Sequence, residues 1–430
     1  MKAKVTLMLT VLALLLFGIV MIYSTSGPFA EQNYGHANYF IVRHAVWVVL
    51  GLVACGVGAK VDYHVWMRWV WPILGFTAVL LALVYIPPIG KIINGSRRWI
   101  GVFGFTFQPS ELAKFATIDL MAWWYGRRRR VPKGFWKRVQ WDLLLPGAVF
   151  GALLALILFE TDFGSTALIG GTGLLLMFVG GAPVGPLFLL VPLAAGGLGY
   201  MISQNTERMG RIVSFLHPED YAQGEGYQLL NALYAFVAGG PWGVGLGASL
   251  QKRLYLPEAH TDFIFAITGE ELGVVATLAV VVAFMVFFVC GMRISGRAAD
   301  SGGRLLAFGI TVLMSAQAIV NVAMVTGCFP TKGFPLPFIS FGDLFDVYTA
   351  LITGKLNLDR VMTAYDRYLR FVASHAPTYK EFVLNMDEKM QNSEFLGDTT
   401  DLLRPGLTFD PQPAWEKVRD EIVAKLLPVK

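Results

Sequence analysis

Apolar residues run in long blocks through the first three quarters of the chain, broken by short polar segments rich in Gly, Pro and Arg. A helix that crosses a bilayer needs about 20 mainly apolar residues, with about 17 as a lower bound. Blocks of that kind cover roughly 5–25, 41–59, 67–87, 110–126, 143–159, 165–182, 185–203, 262–291 and 304–326. The pattern predicts an all-α fold, a polytopic transmembrane helix bundle of about nine spans. No small-residue cleavage site follows the first block, which therefore reads as an anchor helix. Beyond Gly342 the pattern changes. No further span occurs, and DRVMTAYDRYLRFVASHAPTYKEF and WEKVRDEIVAKLL (415–427) have the period of soluble amphipathic helices. The break divides the chain into a membrane domain, 1–342, and a small helical soluble tail, 343–430.

Composition agrees. Hydrophobic residues make up 55% of the chain and charged residues 15%, against about 25% charged in soluble domains. Cys55, Cys290 and Cys328 have no motif spacing, so neither a disulfide framework nor a zinc site is implied. The net charge of +5 matters through its clustering. RRRRVPKGFWKR (127–138), Lys2, Lys4, Lys60, Arg68, Arg293, Arg297 and Arg304 all fall on the cytoplasmic side if the N-terminus is inside. The segments 88–109, 160–164 and 204–261 then face outward, and so does the chain after residue 327.

Candidate chemistry concentrates in those outward segments. LPEAHTDFIFAITGEELG (256–273) passes from a polar start into an apolar helix. Asp262 at the helix start fits an N-cap equally with a general base whose pKa partial desolvation would raise. Glu270 and Glu271 lie about two turns deeper, roughly 12 Å along the axis. Ionisable groups there need partners, and a structural ion pair with Lys114 is the simplest expectation. In NGSRRWIGVFGFTFQPSELAK (94–114), Arg97 and Arg98 run against the positive-inside trend, which points to an anionic partner or to interfacial snorkelling. Pro109-Ser110-Glu111 is a helix-start signal, with Glu111 three residues before Lys114. Arg208, Arg211, Lys252 and Arg253 add outward positive charge. The run Gly243-x-Gly245-x-Gly247 lacks the strand–turn–helix context of a dinucleotide fingerprint. Asp162-Phe163-Gly164 stands without any other kinase signature. The residues thus describe an outward polar cavity with several cations and a few carboxylates. An enzyme acting on an anionic lipid-linked substrate fits, and so does a transporter or flippase for it.

Taken together, the motifs resemble the SEDS family (shape, elongation, division and sporulation). They are MIYSTS, NGSRRWI, QPSELAKF, ETDFGST, RMGRIVSFLHPE, GEGYQLLNALYAFVAGGPWGVGLGASLQKRLYLPEAHTDFIFAITGEELG and VTGCFPTKGFPLPFISFG, in the family's order over about 5–342. The long loop and PTKGFPLPFISFG lean toward the division branch. The resemblance implies a peptidoglycan glycosyltransferase that polymerises lipid II at the outer face of the bacterial cytoplasmic membrane. Its implied partners are a class B penicillin-binding protein, other divisome membrane proteins and membrane lipids, with no nucleic acid. By the same resemblance Asp262 is the general base on the acceptor sugar's 4-hydroxyl. Undecaprenyl pyrophosphate is the leaving group, for which Arg97, Arg98, Lys114, Arg208, Lys252 and Lys332 are the candidate cations. Gln228 and Glu111 are cavity polar groups. No cofactor is implied with certainty; a divalent cation could assist at the pyrophosphate, although no dedicated ligand cluster is visible. Glu270 and Glu271 are assigned to structure. Transport of lipid II, or a non-catalytic scaffold role in the divisome, is the alternative.

One departure stands out. In the family, ISFG runs into a Gly-Ser-Ser stretch and a tenth span, whereas here Gly342 is followed by DLFDVYTALITGKLNLD. The tail, about 343–428, is similar to the C-terminal part of AbiEii-type nucleotidyltransferase toxins, without their nucleotide-binding core. A natural fusion, a decayed gene and a mis-joined reading frame all fit, the last two better. Replacing the tenth span would open one wall of the cavity, which predicts reduced or absent activity.

Overall fold

The computed structural model describes residues 2–46, 48, 62–87, 89–93, 96–102, 105–127, 134–224, 226–253 and 255–341. The chain divides into two units, 1–356 and 357–430. The described residues belong to the first, and the predicted amphipathic helices of the tail lie outside them.

The apolar blocks become helices. In chain order these are α1 (Lys2–Tyr34), α2 (Val70–Leu83), α3 (Pro109–Gly126), α4 (Leu145–Phe159), α5 (Phe163–Val179), α6 (Val184–Ser203), α7 (Thr206–Leu216), α8 (Tyr227–Gly239), α9 (Ile264–Gly296) and α10 (Ser301–Val325). Shorter helical pieces at 39–46, Tyr63–Arg68 and Phe135–Val139 accompany them. Five helices among the described residues are long and apolar enough to cross a membrane: Ala3–Gln32, Phe135–Phe159, Val184–Ser203, Ile264–Gly296 and Ser301–Val325. Val70–Leu83 and Phe163–Val179 are apolar but shorter. The chain is therefore a multi-pass membrane protein. The predicted span 110–126 falls below the strict measure because α3 carries Glu111, Lys114 and Asp119. Most of the predicted span 41–59 lies outside the described residues.

Two apolar clusters hold the bundle. In one, Leu14, Met21 and Ile22 of α1 meet Ile264, Ile267 and Phe284 of α9, closed by Leu336, Ile339 and Phe341. Gly18 lets this last segment cross α1, since a Cβ there would lie 2.8 Å from the Phe338 carbonyl oxygen. In the other, α3 is the central pole. Its Ala113, Ile118, Leu120 and Met121 are buried on all sides against residues of α2, α4, α5 and α10. Pro109 in its first turn needs no hydrogen-bond partner for a missing N–H.

Two corrections concern the outward segments. The stretch 88–109, expected as loop, contains a three-stranded antiparallel sheet of order β1 (Gly90–Ile93), β2 (Ser96–Val102) and β3 (Phe105–Phe107). Its strands are too short to leave a clear alternation. The long loop 204–261 likewise contains α7 and α8, hidden by their modest length. The opposite end is tied differently: Tyr63 donates to Asp300, His64 Nε2 lies 3.0 Å from Asp300, and Ser301 Oγ donates to the Gly126 carbonyl. The two sets of segments that the charge pattern assigns to opposite faces thus gather at opposite ends.

A cavity of carboxylates and cations

Asp262 stands at the centre of the site. Helix α9 begins at Ile264, so Asp262 lies on the turn outside the span. That turn closes on Glu258, whose backbone adopts φ 57° and whose carbonyl accepts from the N–H groups of Thr261 and Phe263, both at 3.1 Å. Asp262 is not an N-cap: no protein donor among the described residues hydrogen-bonds its carboxylate, and Phe263 occupies the cap position. The carboxylate faces a cavity of about 600 Å³. Burial pushes its pKa up to about 7. Glu258 lines the same cavity, and burial together with the Asp262 charge pushes it up to about 8.

The cations arrive from four segments. Arg98 of β2 donates to the Thr161 carbonyl at 2.9 Å and lies 3.9 Å from Asp162. Arg208 of α7 stacks its guanidinium 3.8 Å over the Phe163 ring. The α7 helix is started by Asn205, whose side chain accepts from the Arg208 N–H. Lys332 stands on the segment after α10, its ammonium 5.9 Å from the Phe163 ring and without a hydrogen bond among the described residues. Burial lowers Lys332 to about 8, against the attraction of Asp162. Arg211 and Gln228 complete this side. Asp162 balances the group. Burial alone would raise it, but Arg98, Lys332 and the Ser165 hydroxyl and N–H hold it below the usual range. Gln108 donates to its other oxygen at 3.1 Å.

Lys114 and Glu111 close the floor, 2.6 Å apart, with Gln317 of α10 accepting from Lys114 at 2.9 Å. The structure thus brings Asp262, Arg98, Glu111, Lys114, Arg208, Gln228 and Lys332 to one cavity. It does not bring Arg97 or Lys252. Neighbouring residues on a strand point to opposite faces, and Arg97 donates to the Tyr85 carbonyl at 3.4 Å instead. Lys252 is buried in an ion pair with Glu271 at 2.6 Å, which Ser24 joins from α1. The partner of Glu271 is therefore Lys252, and Lys114 serves Glu111. Glu270 accepts from the Ser249 hydroxyl and the Leu250 N–H. The glycine run 243–247 supports this structure. Val244 and Gly245 donate to the carbonyls of Glu270 and Glu271, where α9 kinks at Gly273 (φ 78°). Among the described residues no group of three or more His, Cys, Asp or Glu is arranged to hold a metal ion.

Glu258, Asp162, Gln317 and Asn321 were not among the site residues expected from sequence. Glu258 itself lies in the left-handed region (φ 57°) and Asp162 follows a residue that does, Thr161 (φ 62°), which no sequence pattern announces. Gln317 and Asn321 were legible: they are amides one helical turn apart inside an apolar span, where polar groups need a reason.

A multi-pass bundle with a polar cavity at one end, lined by one unpaired carboxylate and several cations, is the class that fold and site define. Residues 5–348 match the family model described as "Cell cycle protein", that of FtsW, RodA and SpoVE. The chain is 40% identical over 342 residues to a protein of Trichlorobacter lovleyi named "Probable peptidoglycan glycosyltransferase FtsW", covering 78% of this chain and 87% of that one. A protein of the same name from Pseudomonas fluorescens is 39% identical, with 77% and 81% covered. Among solved structures, the chain is similar to one from work titled "Structural coordination of polymerization and crosslinking by a peptidoglycan synthase complex" (TM-score 0.63, 24% identity, 78% and 91% covered). It is also similar to the rod shape determining protein RodA of Thermus thermophilus (TM-score 0.56, 22% identity, 78% and 89% covered). The chain belongs to the FtsW/RodA/SpoVE family of cell cycle proteins.

Proposed function

We propose that this protein is a peptidoglycan glycosyltransferase that polymerises lipid II at the outer face of the bacterial inner membrane during division, with Asp262 as general base. The observation that carries the reading is the shared cavity: an unpaired carboxylate lines it together with Arg98, Arg208, Arg211 and Lys332. Asp262 removes the proton of an acceptor-sugar hydroxyl as that oxygen attacks the anomeric carbon of the donor. The bond from that carbon to the phosphate oxygen breaks, and undecaprenyl pyrophosphate leaves with the electron pair. Charge grows on phosphate oxygens, where preorganised cations in a confined site stabilise it far more than in water. Glu111, Lys114 and Gln228 bound the floor and side against which the sugars would lie. A class B penicillin-binding protein is the partner this reading implies, because glycan strands need cross-linking.

The test is polymerisation by the purified full chain, supplied with lipid II and a class B penicillin-binding protein, followed on a gel. Polymer from the native chain and none from Asp262→Asn is the expected result. Equal polymer from both would remove Asp262 as the base. Lipid II movement between leaflets of proteoliposomes without polymer would place the chain among transporters. If neither occurs, the same assay on a version carrying a family-like tenth span asks whether the altered C-terminal region has disabled the enzyme.

A further inference from the structure

The mechanism above needs the base and the cation loop held at a fixed separation, yet they sit on different segments. Asp262 precedes α9, and Lys332 follows α10. The only chain between them is the length of both helices, which cannot set ångström-scale register. A direct tie is required, and α10 supplies one. Asn321 is fully buried, and its Nδ2 group donates to the Asp262 carbonyl at 2.8 Å and to the Phe334 carbonyl at 2.6 Å. One turn earlier on the same face, Gln317 accepts from Lys114 at 2.9 Å and donates to the Pro335 carbonyl at 2.9 Å. Between them the segment 332–335 is drawn against the base. Gly333 lies so near that a Cβ there would stand 3.0 Å from Asp262 Oδ2.

We propose that Asn321 is the positioning residue of this site, an amide clamp that holds the Asp262 turn and the Lys332 loop in catalytic register. The inference rests on Asp262 being the base. An amide nitrogen has two N–H donors and no acceptor capacity, and here both donors are spent on carbonyls of the two segments being joined. Asparagine suits this role where aspartate does not. An ionised carboxylate would present oxygen to two carbonyl oxygens, and a protonated one could donate to only one. Gln317 ties the same loop to Lys114, so α10 links base, cation loop and floor through two amides spaced one turn apart.

Asn321→Asp tests this with almost no change in shape. Polymerisation kinetics give kcat and KM, and binding of fluorescent undecaprenyl pyrophosphate reads the cation loop without chemistry. The clamp predicts a fall in kcat of about 100-fold, the scale of a 1 Å misplacement. KM and pyrophosphate binding should change less than about threefold when both are measured below the variant's melting temperature, which the buried carboxyl lowers. A kcat within about twofold of native overturns the proposal, as does a loss of pyrophosphate binding equal to the loss of kcat. Should Asn321→Asp fail to fold, Asn321→Ala decides. It removes both donors without adding a charge, so the clamp predicts lowered kcat with binding retained, and a native kcat overturns it. If the native chain makes no polymer, the comparison is made in the version carrying a family-like tenth span, and no polymer from that version either would instead sink the function on which the clamp rests.

Discussion

At the scale of single residues, the proposed mechanism separates groups that do chemistry from groups that hold them. As the proposed base, Asp262 has to be ionised to accept a proton, and burial has raised it to about 7. In the same proposal Lys332 has to be protonated to stabilise pyrophosphate, and burial has lowered it to about 8. Activity should therefore rise as pH climbs through about 7 and fall again above about 8, a narrow bell in a plot of kcat/KM against pH. Replacing Lys332 with Arg, which keeps its charge across this range, should move the alkaline limb to higher pH or remove it while leaving the acid limb in place. An unchanged alkaline limb would assign it to Glu258, whose ionisation near 8 would add a second negative charge beside the base. Asp262, Arg98 and Arg208 were legible in the sequence as charges in the outward-facing segments, and Lys332 entered through the family resemblance. The roles of Arg97 and Lys252 were not, since strand alternation and a buried partner 19 residues away decide them.

At the scale of elements, α9 shows how charge can be stored inside a membrane bundle. Glu271 and Lys252 are both nearly inaccessible and 2.6 Å apart, with the Ser24 hydroxyl donating to the second carboxylate oxygen at 2.6 Å. Breaking such a pair leaves an uncompensated buried charge, a cost of about 3–5 kcal/mol. Lys252→Met alone should therefore destabilise strongly. Lys252→Met combined with Glu271→Leu should recover much of the loss, because paired replacement by apolar groups is often near neutral. Thermal melts of the detergent-solubilised chain would read both. A double variant no better than the single one would show that the ion pair has a role beyond charge balance. The kink beside it explains the glycine run that sequence alone left without a use. Gly273 takes φ 78°, and a Cβ there would press on the backbone of Pro241 and Gly243, so glycines on both sides of the contact are required. The pair was half visible beforehand: that Glu271 needed a buried cation followed from its depth, but which cation did not.

At the scale of the whole molecule, the two-sided arrangement makes the strongest claim that sequence and structure share. The cavity draws its lining from residues near 96–111, 162–165, 208–228, 258–263 and 331–341, all of them at the outer face by the distribution of basic residues. The set that the charge pattern assigns to the cytoplasm meets at the other end through Tyr63, His64 and Asp300. Apolar blocks of about 20 residues and the placement of Arg and Lys predict two sets of segments on opposite sides, because both are imposed by the bilayer itself, and the structure gathers those sets at opposite ends. The sheet and the helices α7 and α8 escaped notice, since water and lipid meet there and neither dictates a single period. The partition can be tested with cysteines the molecule already supplies. Cys328, exposed just beyond α10, should react with a membrane-impermeant maleimide added outside intact spheroplasts of a Cys55→Ser strain. In a Cys55→Ser/Cys328→Ser background, Ala222→Cys between α7 and α8 should react in the same way, while Ala299→Cys between α9 and α10 should react only after permeabilisation. Outside labelling of Ala299→Cys would turn the bundle over, placing the cavity in the cytoplasm where a glycan polymerase would have no wall to build.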